Sequence, residues 1–177
     1  DKEERMIDLN KPQLLKGFNE VTKGNGYYKA RLSTAASPKE LMAGNYMLRS
    51  ISKAKNTDHV IYTMESFEQY PDLHYATLDF KKSIRLTHGI DQQKDYLWGT
   101  AELVSWISLD GRKLEGVVYK PADFDPAKKY PMIVSFYERN SETLFNYRMP
   151  EPHRSTIDYH LYNSNGYIVF NPDIRYV

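Results

Sequence analysis

The chain has 177 residues, enough for one or two domains. Its 24 basic and 23 acidic residues leave a net charge of +1, so no single-sign field is available to attract nucleic acid or an anionic membrane. It has no cysteine, which excludes disulfides and thiolate metal sites. The sequence contains no apolar run of about 18 residues that could span a membrane. The high aromatic content, 14%, favours β structure.

The first hundred residues are predicted to form short antiparallel strands joined by tight turns. The glycines of Gly24-Asn25-Gly26 indicate a hairpin turn, and Pro71-Asp72 is predicted to break the chain. Four strands in about 45 residues is the size of one β-propeller blade, although any other antiparallel sheet would give the same pattern. The predicted strands are 27–32, 46–52, 59–65, 73–80 and 83–87.

The pattern changes near residue 100. Two predicted strands, 101–109 and 113–119, flank the hairpin signal Asp110-Gly111. Further along, Met132–Tyr137 and Tyr167–Phe170 are nearly continuous apolar runs, which predicts two central strands buried on both faces.

A helix is predicted between these two apolar runs. Ser155 and Asp158 have the spacing of a capping box at its start, and Ile157 and Leu161 would share one face. Gly166 fits the C-terminal cap, where a left-handed backbone is needed. A strand, a helix and a strand in this order predict a parallel crossover unit.

Many pieces of this sequence, in the right order, resemble the prolyl oligopeptidase family of serine peptidases, and in particular its dipeptidyl peptidase IV-like branch in the form common in Bacteroidetes. The similarity is strong over residues 95–177 and weak before residue 55. Residues 58–87 resemble the last propeller blade of that branch, and residues 164–176 resemble the segment just before its nucleophile. The remaining pieces are Leu97–Trp106, Asp110-Gly111, Tyr119–Pro121, Phe124–Pro126, Lys129–Pro131 and Tyr137-Glu138.

The resemblance implies a mixed β and α/β fold that is incomplete in this chain. Residues 1–99 would form the last blade or blades of a propeller, and residues 100–177 the first strands of an α/β-hydrolase catalytic domain. The implied activity of the parent protein is serine-dependent cleavage of peptides, releasing dipeptides after a penultimate proline or alanine. No G-x-S-x-G elbow occurs in these 177 residues, and the triad of the family lies further along. The chain alone is therefore expected to be inactive.

The resemblance assigns a function to one residue of this chain. The family has a tyrosine at the end of this strand, whose hydroxyl helps to form the oxyanion hole, and Tyr137 matches that position. A phenol at the carboxyl edge of a sheet can donate a hydrogen bond to a developing oxyanion, which is worth about 3–4 kcal/mol. Glu138 stands where the mammalian enzyme has a small residue, and it is interpreted as a solvated loop carboxylate.

The other chemistry-bearing residues are given structural interpretations. The five histidines are scattered without H-E-x-x-H spacing, so no metal and no cofactor are expected. His160 is predicted to be a surface or half-buried residue of the helix. Asp173 is assigned to a turn, and Ser135 lies in a strand without an elbow.

Alternative functions stay open, because a fold does not fix its chemistry. The chain could come from a non-catalytic homologue, from a propeller-type binding module, or from an esterase or acylaminoacyl peptidase of the same superfamily. The expected partners are a peptide substrate, the remainder of the catalytic domain and a second copy in a homo-oligomer, with no nucleic acid. By resemblance, the parent protein is expected to be periplasmic or secreted.

Overall fold

The structure is a computed structural model that describes residues 6–151 and 157–175. This part of the chain is mostly β, with three sheets and short helices. The first sheet contains β1 (Pro12–Phe18), β2 (Asn25–Arg31) and β3 (Lys39–Gly44). The second contains β4 (Met47–Lys53), β5 (His59–Ser66), β6 (Gln69–Thr77) and β7 (Ser83–Arg85). The third contains β8 (Thr100–Ile107), β9 (Lys113–Lys120), β10 (Met132–Val134) and β11 (Ile168–Pro172).

Three helical segments complete the described part of the chain. Two are 3₁₀ turns, Gly89–Asp95 and Ser141–Thr143, and one is the short α-helix α1, Tyr159–Ser164. None of the helices in the described ranges is long and apolar enough to cross a membrane.

The turn between β1 and β2 lies slightly earlier than Gly24-Asn25-Gly26 predicts. The left-handed residue is Lys23, at φ 64°, and the Asn19 side chain accepts hydrogen bonds from the amides of Val21 and Thr22. Gly24 is needed for a different reason. A Cβ on Gly24 would lie 2.1 Å from the Gly44 carbonyl oxygen, so only glycine lets the two backbones approach this closely.

The second sheet is an up-and-down antiparallel sheet in which each strand pairs with its neighbour in the sequence, in the order β4-β5-β6-β7. This confirms the predicted strands and gives the strand number of a propeller blade. Its inward side chains form a core with Tyr27 of the first sheet, so the two sheets pack together. The buried residues of this core are Tyr27, Leu48, Val60, Tyr62 and Ala76.

The prediction that Pro71 interrupts the β structure is wrong, because Pro71 lies inside β6. Proline has no backbone N–H, so within a sheet it fits only where no ladder hydrogen bond to that residue is required. Two features of the strand pairing leave Pro71 in such a position. The pairing of β5 with β6 shifts register between Met64 and Ser66, and the pairing of β6 with β7 covers only His74 to Ala76.

The third sheet has the order β10-β11-β9-β8. β8, β9 and β11 pair antiparallel, whereas β10 and β11 pair parallel, which confirms the predicted parallel pair joined through a helix. The prediction that Met132–Tyr137 is a buried central strand is wrong. β10 ends at Val134 and lies at the edge of the sheet, and Met132 and Val134 are about half exposed. β11 is central, and its Val169 is fully buried.

The helix begins later than the sequence predicts. Asp158 is its N-cap, and the carboxylate accepts hydrogen bonds from the amides of His160 and Leu161; Ser155 lies outside the described residues. Leu161 is 57% exposed, so it does not share a buried face with Ile157. The role predicted for Gly166 is confirmed. It is left-handed at φ 79°, and the amides of Gly166 and Tyr167 bond to the Asn163 and Tyr162 carbonyls, which is a Schellman motif.

A second core lies between the second and third sheets. Phe67, at the tip of the β5–β6 hairpin, is fully buried and packs on Tyr119 of β9, with ring centroids 4.8 Å apart. The Trp98 indole N–H donates to the Phe67 carbonyl at 2.7 Å. The hairpin tip of one sheet therefore belongs to the core of the other. The buried apolar residues of this core are Phe67, Val117, Tyr119, Leu144 and Val169.

Candidate functional site

An open cleft of about 660 Å³ lies beside the carboxyl ends of β10 and β11. In sheets with parallel strands, ligands bind at the carboxyl ends of those strands, so a binding or catalytic site is expected at this edge. The cleft is built by the segment after β10, the segment before α1 and the end of β11. Its lining residues are Ser135, Tyr137, Glu138, Arg139, Asn140, Thr143, Arg148, Ile157, Tyr159 and Asn171.

Tyr137 lies on the rim of this cleft, in a bend that follows β10. The Ser135 amide still donates to the Phe170 carbonyl at 2.9 Å, and the chain then leaves the sheet. Glu138 makes that departure with a left-handed backbone at φ 60°, which is uncommon for a residue with a side chain. The Tyr137 side chain is 77% exposed and takes no part in either of the two cores of the described residues.

The backbone around Tyr137 is fixed to the end of β11. The Asn140 side-chain amide lies 3.1 Å from the Tyr137 carbonyl oxygen and 3.1 Å from the Pro172 carbonyl oxygen. The Asp173 carboxylate accepts hydrogen bonds from the Asn140 and Ser141 amides and from the Ser141 hydroxyl, the last two at 2.7 and 2.6 Å. Asp173 thus holds a turn, as the sequence predicts.

The floor of the cleft is aromatic and polar. The Asn171 side-chain amide donates to the Tyr159 hydroxyl at 2.7 Å, and the Tyr159 ring stacks on Tyr119 at 4.4 Å. The Arg148 guanidinium lies 5.2 Å from the Tyr159 ring centroid. Burial raises the pKa of the Tyr119 hydroxyl, which keeps it protonated beneath the cleft. No local pattern indicated that these residues would meet, because they come from four separate segments.

The charged side chains on the rim are solvated. Arg139 pairs with Glu142 at 3.1 Å and with Glu20 at 3.5 Å, and all three are exposed or half-exposed. Glu138 is also exposed, as its interpretation as a loop carboxylate requires. Exposed pairs of this kind contribute about 0–1 kcal/mol each, so they do not fix the site.

Besides the phenols of Tyr137 and Tyr159, the lining residues of the cleft include two aliphatic hydroxyls, Ser135 and Thr143, and no histidine. The Thr143 hydroxyl donates to the Asn140 carbonyl instead. Across residues 6–151 and 157–175, no group of three histidine or acidic residues could hold a metal ion. Among the described residues, the cleft can therefore supply a phenolic donor but not an activated nucleophile.

His160 is more buried than the sequence predicts, at 7% exposed. Its Nε2 lies 2.7 Å from the Arg148 carbonyl oxygen, and because a carbonyl only accepts, Nε2 carries the proton. The ring packs between Phe67 and Trp98, with centroids 4.9 and 3.9 Å away, while Nδ1 has no hydrogen-bond partner among the described residues. Burial lowers the pKa of His160. It is a packing residue of the second core.

Several solved structures with a similar fold are peptidases. A dipeptidyl peptidase 4 from Porphyromonas gingivalis superposes with a TM-score of 0.67 at 18% identity, over 94% of this chain and 23% of its own. A putative dipeptidyl aminopeptidase IV from Bacteroides ovatus gives 0.61 at 20% identity, over 93% and 23%. An acylaminoacyl peptidase from Pyrococcus horikoshii gives 0.58 at 17% identity, over 85% and 22%.

At these identities the likeness is one of fold. The structural neighbours are dipeptidyl peptidase IV-like and prolyl oligopeptidase-family peptidases, and the described residues form a mostly β unit that resembles part of such a peptidase. The chain spans about a quarter of the length of each neighbour. No family model and no curated protein matches the sequence.

Proposed function

We propose that this chain is the junction between the propeller and the catalytic domain of a serine peptidase, with residues 1–99 on the propeller side and residues 100–177 opening an α/β-hydrolase domain. The proposed activity of the parent protein is release of dipeptides after a penultimate proline or alanine. The parent protein is proposed to act in the periplasm or outside the cell.

Within that parent protein, Tyr137 is proposed to donate its hydroxyl to the oxyanion of the transition state. One observation carries this assignment: Tyr137 is an exposed phenol on the rim of a cleft at the carboxyl ends of two parallel strands. A strand-end tyrosine with only a packing role would be expected to bury its ring. A donor at such an edge acts where substrate can reach it.

An acylaminoacyl peptidase is the second candidate, since one of the structural neighbours is such an enzyme. The proposed role of Tyr137 is the same in both, because each reaction passes through a tetrahedral oxyanion. Chromogenic substrates with a free amino terminus, Gly-Pro or Ala-Pro, separate the two from N-acylated amino-acid substrates. A parent protein that cleaves neither and resists fluorophosphonate labelling would be a non-catalytic homologue or binding module.

The test of the proposal is Tyr137→Phe in the parent protein. We expect kcat to fall by about 100- to 1000-fold, as on removal of one oxyanion donor elsewhere. The KM should change little, because the donor acts mainly in the transition state, so kcat and kcat/KM should fall together. Steady-state kinetics on Gly-Pro and Ala-Pro chromogenic substrates measures this.

Tyr96→Phe is the matched control, because Tyr96 is similarly exposed, at 70%, but does not line the cleft. Its kcat should equal that of the unaltered parent protein. A Tyr137→Phe protein with the kcat of this control would remove the assignment. The 177-residue chain by itself should hydrolyse neither substrate and should not react with a fluorophosphonate.

A further inference from the structure

We infer that Asn140 and Asp173 are positioning residues for Tyr137, an inference that rests on the proposed oxyanion role of that tyrosine. The Asn140 Nδ2 atom lies 3.1 Å from both the Tyr137 and the Pro172 carbonyl oxygens. Carbonyl oxygens can only accept hydrogen bonds, so the Asn140 side chain must turn its NH₂ group toward these two oxygens and donate to both. Asn140 thereby ties the backbone of Tyr137 to the last residue of β11.

Asp173 holds the same loop from the other side. Its carboxylate accepts from the amide and hydroxyl of Ser141 at 2.7 and 2.6 Å and from the Asn140 amide. The amide of the next residue, Ile174, donates to the Glu138 carbonyl at 3.1 Å. The segment after β10 is therefore bonded to the segment after β11 at several points beyond the end of the β ladder.

These bonds matter because Tyr137 has little else to fix it among the residues that the structure describes. Its side chain is 77% exposed, so packing does not set the direction of the phenol, and the backbone must do so. The next residue, Glu138, has φ 60°, a conformation that persists only where the surroundings enforce it. An oxyanion donor must lie about 2.7–3.1 Å from its target, and a misplacement of about 1 Å can cost about 100-fold in rate.

The experiment is Asn140→Ala in the parent protein, with two readouts. Hydrogen–deuterium exchange followed by mass spectrometry should become about tenfold faster in peptides covering 137–143 and 172–175, because bonds that hold the loop are lost. The kcat should fall by about 10- to 100-fold with KM nearly unchanged. Asn56→Ala, in an exposed turn, is the matched control and should alter neither readout.

A double-mutant cycle separates positioning from general damage. If Asn140 acts through the Tyr137 hydroxyl, Asn140→Ala should lower kcat little further in a Tyr137→Phe background. An equal fall in both backgrounds would overturn the inference, as would unchanged exchange in the two peptides. Should Asn140→Ala fail to fold, Ser141→Ala removes only the 2.6 Å bond to Asp173 and should give a smaller change in the same direction.

Failure of the proposed function is a distinct outcome. A Tyr137→Phe protein with unchanged kcat would remove the oxyanion role. The exchange measurement on Asn140→Ala would still decide whether Asn140 fixes the loop, because it does not depend on activity.

Discussion

The second and third sheets contain four strands each, but they are assembled by different rules. In β4–β7 every strand pairs with the strand next to it in the sequence, through short turns. In β8–β11 the last two strands are parallel and joined by a long connection, and β11 is inserted between β9 and β10. The candidate site lies beside the third sheet, at the carboxyl ends of that parallel pair.

This difference shows how the connections between strands decide where separate loops can meet and form a site. A sheet of consecutive hairpins places its turns at both ends, and the tip of one of them, at Phe67, serves to dock the neighbouring sheet. A parallel pair instead brings two strand ends to the same edge, where separate loops meet. The 137–141 and 171–175 segments meet there, although they are far apart in the sequence.

The largest effect on this arrangement should come from Phe67→Ala. Phe67 belongs by sequence to the second sheet but is fully buried in the core of the third. Truncation of a buried phenylalanine costs about 3–5 kcal/mol. We expect the free energy of unfolding in urea to fall by about that much. Unfolding should also separate into two transitions, one for the second sheet and one for the third.

Phe18→Ala is the matched control for this truncation, since Phe18 in β1 is 39% exposed. It should cost far less than Phe67→Ala and leave the number of transitions unchanged. Equal losses for the two variants would mean that Phe67 does not join the two sheets.

A smaller effect should come from the edge strand β10. Met132, Val134 and Phe136 are about half exposed or more, and β10 has one neighbour among the described strands, so its free edge can pair with another chain. We expect the 177-residue chain to self-associate, and Val134→Lys to weaken that association by at least about tenfold. Sedimentation equilibrium measures the dissociation constant.

Ile61→Lys is the matched control for the edge variant, because Ile61 is 41% exposed but lies on β5, which has a neighbour on each side. It should leave the association unchanged. A bare chain that sediments as a stable monomer would contradict this prediction.

The smallest effect should be a dependence of stability on pH, to which one histidine of the second sheet and one of α1 contribute. Burial lowers the pKa of His74 in β6 and of His160 in α1 from the ordinary value of 6.5. As pH falls below 6.5, the unfolded chain takes up protons before the folded chain does, so the free energy of unfolding should decrease. It should be fully recovered above that pH.

Replacement of each histidine separates the two contributions. Denaturant unfolding between pH 5 and pH 8 should show a shallower pH dependence for His74→Gln and for His160→Gln, whatever the absolute stability of each variant. A slope identical to that of the unaltered chain in both variants would contradict the assignment to these residues.

The sequence determined the local elements by patterns that are themselves local. Alternating residues between polar turns indicated β4–β7, and Gly166 marked a C-terminal cap, because only glycine adopts a left-handed backbone at little cost. The apolar runs at β10 and β11 indicated two strands joined through a helix, and their parallel pairing followed. The resemblance singled out Tyr137, whose position on a cleft rim is compatible with the proposed role.

Only the tertiary structure decided which of these strands is central and which residues meet. Met132–Tyr137 is apolar enough to be a central strand, but whether a strand is central depends on how many neighbours pair with it. No local pattern indicated the left-handed backbones of Lys23 and Glu138, the burial of Phe67 in a second core or the bonds of Asn140. The physical reason is that these features depend on partners distant in sequence, and a local pattern records only what a residue prefers.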